Sequence, residues 1–154
     1  MRNKIRCDNV AMPIFELHPQ LLADCHRLGR LDLCHVLLNS NASLPWFILV
    51  PETPVTELFD LADTPRTAVL HEAAVIAQFI KSHLGYQKIN FAAIGNIVPQ
   101  LHLHIVGRKL GDPCWPAPVW GKIIESQEYS GKRLEGIREL LVRQCSLKIE
   151  IDNP

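Results

Sequence analysis

The chain lacks net charge: its 154 residues hold sixteen lysines and arginines against sixteen aspartates and glutamates. Without a field of one sign, nothing in the chain as a whole calls for nucleic acid or an anionic membrane as partner. A phosphate compound would have to be held by local donors. No apolar run is long enough to span a membrane. Near the start, Arg2, Lys4 and Arg6 are followed by no apolar stretch of the signal-peptide kind. The five cysteines, Cys7, Cys25, Cys34, Cys114 and Cys145, are odd in number and form no Cys-x-x-Cys pair. That pattern argues against a disulfide framework and the usual structural zinc site, and suits reduced thiols in the cytoplasm. Internal repeats and low-complexity segments are also missing. What remains is a chain of single-domain length, 47% hydrophobic and 21% charged, able to bury one core.

The local patterns alternate between helix and strand. Residues 17–29 predict a short helix: Pro19 suits its first turn, Leu21, Leu22, Cys25 and Leu28 form a stripe, and Gly29 closes it. Residues 31–38 and 45–51 are apolar runs around the turn-formers Asn39-Ser-Asn-Ala-Ser43. They predict an antiparallel hairpin with a loop of about six residues. The main helix starts with Asp63 or Thr64 as cap and ends at Gly85, with a stripe of Val69, Leu70, Ala73, Ile76, Ala77, Ile80 and Leu84. His71, Glu72, Lys81 and His83 fall off that stripe, and the two histidines are expected in solvent. Residues 88–94 and 101–107 predict two further strands, separated by a turn at 95–99. Residues 111–121 form an irregular loop anchored by Trp115 and Trp120. Residues 130–144 predict an amphipathic helix with Leu134, Ile137, Leu140 and Leu141 on one side, weakened by Gly131 and Gly136. Leu147, Ile149 and Ile151 alternate as an edge strand would. The fold class is α+β, an antiparallel sheet of about five strands with two main helices. One domain is expected over residues 1–154, with a core at 14–121 and a C-terminal helix and tail at 122–154.

The chemistry concentrates in Gln100-Leu-His-Leu-His-Ile-Val-Gly-Arg108. In a strand, Gln100, His102 and His104 share one face, while Leu101, Leu103 and Ile105 take the other. Three polar groups in a row are costly to bury without partners, so this face is expected to line a site. Neutral imidazole is a good nucleophile toward phosphorus and is well populated near neutral pH. It would split a phosphoanhydride or phosphoramide cleavage into two displacements. It needs an acceptor on its other nitrogen, donors for the phosphoryl oxygens and a proton for the leaving atom. His102 is the central member, flanked by Gln100 and His104. Asn90, Asn96 and the backbone amides of the 95–98 turn, including those of Ile97 and Val98, are candidates for phosphate contact.

Residues 95–108, Gly-Asn-Ile-Val-Pro-Gln-Leu-His-Leu-His-Ile-Val-Gly-Arg, resemble the signature of the histidine triad (HIT) superfamily, His-φ-His-φ-His-φ-φ with φ apolar. In weaker form the resemblance covers residues 31–121. The stretch Trp115-Pro-Ala-Pro-Val-Trp-Gly121 is similar to that of a bacterial branch whose first triad place is glutamine. The resemblance implies a HIT-like fold, and a nucleotide phosphoanhydride or phosphoramidate hydrolase or nucleotidyl transferase working through a nucleotidyl-histidine intermediate. It implies His102 as nucleophile, His104 as the residue that orients or polarises the site, and Asn39 at the ribose. Asn96 then lies near phosphate, and Asn90 does so more loosely. The implied partners are a small-molecule nucleotide, adenosine-based, and a second copy in a homodimer. No cofactor is required, and a divalent metal ion would come with the substrate. Gln100 departs from the pattern: it hydrogen-bonds in the same direction but cannot change charge, so leaving-group protonation and rate hinge on it.

Two other readings compete. In one, Gln100 has removed efficient catalysis and left a nucleotide-binding or sensing module. In the other, His102 and His104 are metal ligands, completed by Cys114, His71 or His35. Trp46, Trp115 and Trp120 read as core or interface aromatics able to stack on a base. Phe15 and Leu17 are either ordinary hydrophobics or part of a base pocket. Cys34 reads as a core residue, and Arg108 as phosphate support or an exposed strand-end arginine.

Overall fold

A computed structural model describes residues 15–122 and 125–149. The readings on Cys7, the start of the chain and Ile151 lie outside these residues. The two apolar runs pair as expected: β2 (Cys34–Asn39) and β3 (Trp46–Pro51) are antiparallel, with Leu37 opposite Ile48. Strand β5 (Leu103–Arg108) adds to β3 with His104 opposite Ile48, and β4 (Lys88–Ala92) adds to β5. A fifth strand, β1 (Cys25–Arg30), pairs with β2, giving the order β1-β2-β3-β5-β4. Both faces of the central strands are covered, which is why they read as continuous apolar runs rather than alternating ones.

The strand β1 corrects the helix predicted over 17–29. Only α1 (Pro19–Asp24) is helical, with His18 Nδ1 accepting the N–H of Gln20 at 3.1 Å. From Cys25 the chain is extended, because pairing with β2 and the Arg30–Lys148 bridge satisfies its backbone groups. Gly29 is therefore no helix stop. It sits at a register shift in β1 with φ +147°, where a Cβ would lie 2.4 Å from the backbone oxygen of Lys148. Leu28, placed on the predicted helix stripe, is instead a buried strand residue.

The helix α2 (Asp63–His83) covers one face of the sheet. Val69, Ala73, Ile76, Phe79 and Ile80 pack with Val36, Leu38, Phe47, Leu49, Leu103 and Ile105 in the main core. Its N-cap is Ala62 rather than Asp63 or Thr64; Asp63 lies in the first turn and pairs with Arg66. His71 and His83 are exposed as expected. Leu70, expected on the stripe, is 41% exposed. Glu72, expected off it, is buried, and its carboxylate accepts the N–H groups of Leu33 (2.8 Å) and Cys34 (3.0 Å). Those two amides open β2, so the burial of Glu72 is explained by backbone groups it satisfies. Helix α3 (Gly131–Cys145) is capped by Ser130 and sends Ile137 and Leu141 into the same core. Beyond it, the predicted edge strand reduces, among the described residues, to the Arg30–Lys148 bridge with Leu147 buried. Among the described residues no helix is long and apolar enough to cross a membrane.

Gly107, on β5, sits where Ile80 of α2, Pro45 and Tyr86 crowd the strand. A Cβ there would lie 2.6 Å from Ile80 Cγ2, 2.7 Å from Pro45 Cγ and 3.0 Å from Tyr86 Cβ. Overpacking of that kind costs about 1–3 kcal/mol. Gly107→Ala is expected to lower the urea midpoint by an amount equivalent to ~2 kcal/mol with an unchanged slope. A variant as stable as the parent would show that the helix yields freely.

Candidate functional site

The second face of the sheet carries Leu37, Ile48 and Val50, packed with Leu17, Leu21 and Val98. The alternation read from the sequence holds at the histidines, since Leu101, Leu103 and Ile105 all enter the main core. Pairing begins only at Leu103, so Gln100, at a bend, and His102 precede β5 rather than form its first residues. His102 and His104 are both nearly buried, at 7% and 8% exposure. Their rings stand almost perpendicular, 78° apart, with centroids 4.8 Å apart.

Hydrogen-bond partners set the protons on the two rings. His102 Nδ1 lies 2.7 Å from the backbone oxygen of Gln100. A carbonyl only accepts, so Nδ1 donates and Nε2 carries the lone pair. For His104 the order is reversed. The Trp46 indole N–H, which only donates, points to His104 Nδ1 at 3.0 Å. Nδ1 is thus the acceptor and Nε2 holds the proton. Burial, helped by the neighbouring His102, pushes the His104 imidazole down to about 4, so it is neutral at neutral pH. The pair presents one nucleophilic nitrogen and one neutral N–H donor.

A pH dependence follows. Unfolded, His104 takes up its proton near 6.5; folded, it does so only near 4. Between these values the unfolded chain binds more protons. The stability contributed by neutral His104 is therefore complete above about pH 6.5 and is lost as pH falls toward 4, by about 3 kcal/mol in all. Urea unfolding followed from neutral to about pH 4 should show this loss, and His104→Gln should flatten it. Identical slopes in both proteins would refute the assignment.

Trp46 and Trp120 complete the surroundings of His104. The three rings form a triangle of edge-on contacts: Trp46–His104 5.6 Å, His104–Trp120 5.7 Å and Trp46–Trp120 5.8 Å. A cavity of about 400 Å³ opens beside them, lined by Asn39, Asn41, Ser43, Trp46, Trp120 and Lys122 among others. Asn39, at the end of β2, thus shares a cavity wall with the two indoles that touch His104, while its Oδ1 accepts the N–H of Asn41 at 3.0 Å. Trp115 stands apart, 39% exposed, with the Arg108 guanidinium 5.9 Å from its ring centre.

Other candidates are placed differently from expectation. Arg108 is 1% exposed, neither a solvent-facing strand end nor free for phosphate. Its Nε and Nη2 reach Asp112 at 2.8 and 2.9 Å, Nη2 also reaches the Ala117 oxygen at 3.0 Å, and Nη1 reaches Asn90 Oδ1 at 2.7 Å. Asn90 therefore anchors Arg108. Asn96 and Ile97 stand exposed in the turn before Gln100, and Val98 is buried with Leu17 and Leu37. The Gln100 side chain turns to the segment before α1: its Oε1 accepts the His18 N–H and its Nε2 donates to the Glu16 oxygen, both at 2.9 Å. His35 is buried on β2, with Nε2 3.0 Å from Glu52 and its ring stacked on Phe15 at 5.3 Å. Among the described residues no three His, Cys, Asp or Glu side chains are grouped to hold a metal ion, so His102 and His104 gain no third ligand from Cys114, His71 or His35. The donor role of Trp46 escaped the sequence reading, because it depends on the β3–β5 register.

A five-stranded antiparallel sheet with paired imidazoles of opposite tautomer on its second face defines the class of protein. The HIT domain model matches residues 20–111. The structure is similar to that of a histidine triad protein from Marinobacter aquaeolei, with 38% identity over 87% of this chain and 98% of that chain, at a TM-score of 0.79. A histidine triad protein from Bradyrhizobium japonicum matches with 34% identity over 86% of this chain and 98% of that one, at a TM-score of 0.80. One from Sinorhizobium meliloti has 34% identity over 84% and 96%, at a TM-score of 0.79. No protein of curated function matches. The chain belongs to the histidine triad (HIT) family, and membership supports a nucleotide-binding or hydrolase-type function.

Proposed function

We propose that this protein is a nucleotide phosphoanhydride or phosphoramidate hydrolase, or a nucleotidyl transferase, that works through a nucleotidyl-histidine intermediate on His102. The observation that carries the reading is the 2.7 Å contact from His102 Nδ1 to the Gln100 carbonyl, which leaves Nε2 with the lone pair. In the first displacement Nε2 attacks the α-phosphorus, a P–N bond forms, and the bond to the leaving group breaks with its electron pair. The positive charge that develops on the His102 ring is shared through Nδ1–H with the Gln100 carbonyl. The neutral Nε2–H of His104 is the nearby donor for a phosphoryl oxygen. In the second displacement water attacks the same phosphorus, and the P–N bond breaks with its electron pair returning to Nε2. The proton lost by water passes to solvent, and the nucleoside monophosphate leaves with His102 back in its starting tautomer. An acceptor in place of water makes the reaction a transfer.

Neither flank of His102 is an acid at neutral pH, since Gln100 does not titrate and His104 is held neutral. Leaving groups stable as anions, such as phosphates, are favoured over amines, which need a proton. Asn39 is assigned to the ribose of an adenosine nucleotide, and the amides of the 95–98 turn to its phosphates. No step passes through a protein-held metal, and a divalent ion would enter with the substrate phosphates. A homodimer is in keeping with β4, an edge strand of the sheet on which Phe91 is 45% exposed. The free thiols of Cys25, Cys34, Cys114 and Cys145 suit a cytoplasmic setting.

The test is covalent trapping. Protein incubated with adenosine 5′-phosphoramidate or a dinucleoside polyphosphate, labelled at the α-phosphorus, is quenched and digested. Label is expected on the peptide that carries His102 and absent from His102→Ala. Turnover without label on His102 would overturn the mechanism. Nucleotide binding without product or label would favour the sensing module.

A further inference from the structure

We infer that Gln100 is a positioning residue, a clamp that holds residues 16–18 over the second face of the sheet and thereby sets affinity for the nucleotide. The inference rests on the nucleotide reading above and adds to it a reason for glutamine at this place. The two bonds of the Gln100 side chain go to one short stretch of backbone, the oxygen of Glu16 and the N–H of His18, each at 2.9 Å. A carbonyl and the N–H two residues further on are what an extended chain offers to a parallel neighbour. A primary amide has its oxygen and one N–H side by side, as the C=O and N–H of a single residue are in an extended chain. It therefore docks as a one-residue strand. A neutral imidazole also has one donor and one acceptor, but on ring nitrogens that diverge, and it cannot reach both backbone groups at once. Histidine at position 100 would satisfy at most one of them.

What the clamp holds packs on the second face of the sheet, where Ile48 lies opposite His104. Leu17, between the two bonded residues, is buried with Leu37, Ile48 and Val98. Phe15 stacks on His35 with ring planes 7° apart. Leu37 is two residues before Asn39 on β2, and Ile48 is opposite His104 across the β3–β5 ladder. The backbone oxygen of Gln100 accepts the His102 Nδ1–H. One residue thus carries the segment on its side chain and the tautomer of the nucleophile on its main chain. Loss of the side chain leaves the main-chain contact and frees the segment. The effect is therefore expected in binding of the nucleoside part rather than in the chemical step.

Two variants of the full chain, Gln100→Met and Gln100→His, separate the outcomes. Met keeps the length and removes both bonds; His installs the residue of the triad pattern. Three readouts apply: amide exchange of His18 without ligand, KM and kcat with a dinucleoside polyphosphate, and calorimetric Kd for adenosine monophosphate. In Gln100→Met the His18 amide is expected to exchange about tenfold faster, and in Gln100→His by up to that factor, according to which backbone group the imidazole keeps. In both, KM and Kd are expected to rise about tenfold, the scale of one hydrogen bond, with the smaller share of the loss in kcat. Unchanged exchange in both variants overturns the clamp. Faster exchange with unmoved KM and Kd overturns its link to the nucleotide. A higher kcat in Gln100→His overturns it too, by showing that glutamine stands where an acid is wanted. Parent protein that neither binds nor turns over nucleotide sinks the nucleotide reading and the affinity claim together, while the exchange arm still decides the clamp.

Discussion

His102→Ala is expected to lose turnover by on the order of 10³-fold or more, the scale seen when a nucleophile is removed from an otherwise intact site. The size of the loss depends on whether another group can take over. Among the described residues, the imidazole in ring contact with His102 is that of His104, its centroid 4.8 Å away. It is disqualified twice. Its Nδ1 lone pair already accepts the Trp46 indole N–H at 3.0 Å, and its Nε2 bears the proton. Turning the ring over to expose a lone pair would leave the Trp46 donor without a partner inside the aromatic triangle. Nucleotide affinity should change far less than turnover, because the Asn39 cavity and the residues beneath Leu17 do not involve His102. Steady-state rates and calorimetry on the same preparations check both halves. A His102→Ala enzyme within tenfold of the parent would remove His102 as nucleophile.

The largest stability effect is expected at Arg108. Arg108→Met should cost about 3–5 kcal/mol in urea unfolding, the range for breaking a buried pair from one side. The Arg108 and Asp112 side chains are 2% and 0% exposed, and Nε–Oδ2 is 2.8 Å. Methionine fills much of the arginine's volume but leaves the Asp112 carboxylate buried without its counter-charge. Two contacts remain to that carboxylate, from the N–H groups of Lys109 (3.1 Å) and Cys114 (2.9 Å). They satisfy lone pairs without neutralising the charge. The substitution also releases Asn90 and the Ala117 oxygen, and with them the tie between β4 and the loop that carries Trp120. Removing both charges in Arg108→Met with Asp112→Leu should recover part of the loss. A single-variant cost below about 1 kcal/mol would mean the pair is solvated and the loop is held by other contacts.

Much of the site was legible because it depends on short-range pattern. Two histidines at i, i+2 between leucines place both imidazoles opposite the core, and the structure keeps that division with Leu101, Leu103 and Ile105 inside. The hairpin of β2 and β3 was legible from two apolar runs around a turn cluster, and α2 from its 3.6-residue spacing. Failures came where a partner distant in sequence decides. Residues 25–30 have a stripe that suits helix, yet β2 and Lys148 offer backbone partners that make them a strand. Glu72 looks solvated on a helical wheel until the amides of Leu33 and Cys34 are set against it. Arg108 looks like a strand-end charge until Asp112 folds back beneath it.

The sequence by itself determined that the chain is an α+β protein with a histidine pair on one sheet face, because side-chain alternation and hydrophobic periodicity are local properties of a backbone. Only the tertiary structure decided which nitrogen of each imidazole is free. That choice rests on two partners: the Gln100 carbonyl beside His102 and the Trp46 indole 58 residues from His104. It likewise decided what Gln100 does. Its amide is read in sequence as a flank of the triad and in space as a bond to backbone 82 and 84 residues away. A hydrogen bond between distant segments has no local pattern, since it exists only once the core has brought the two together.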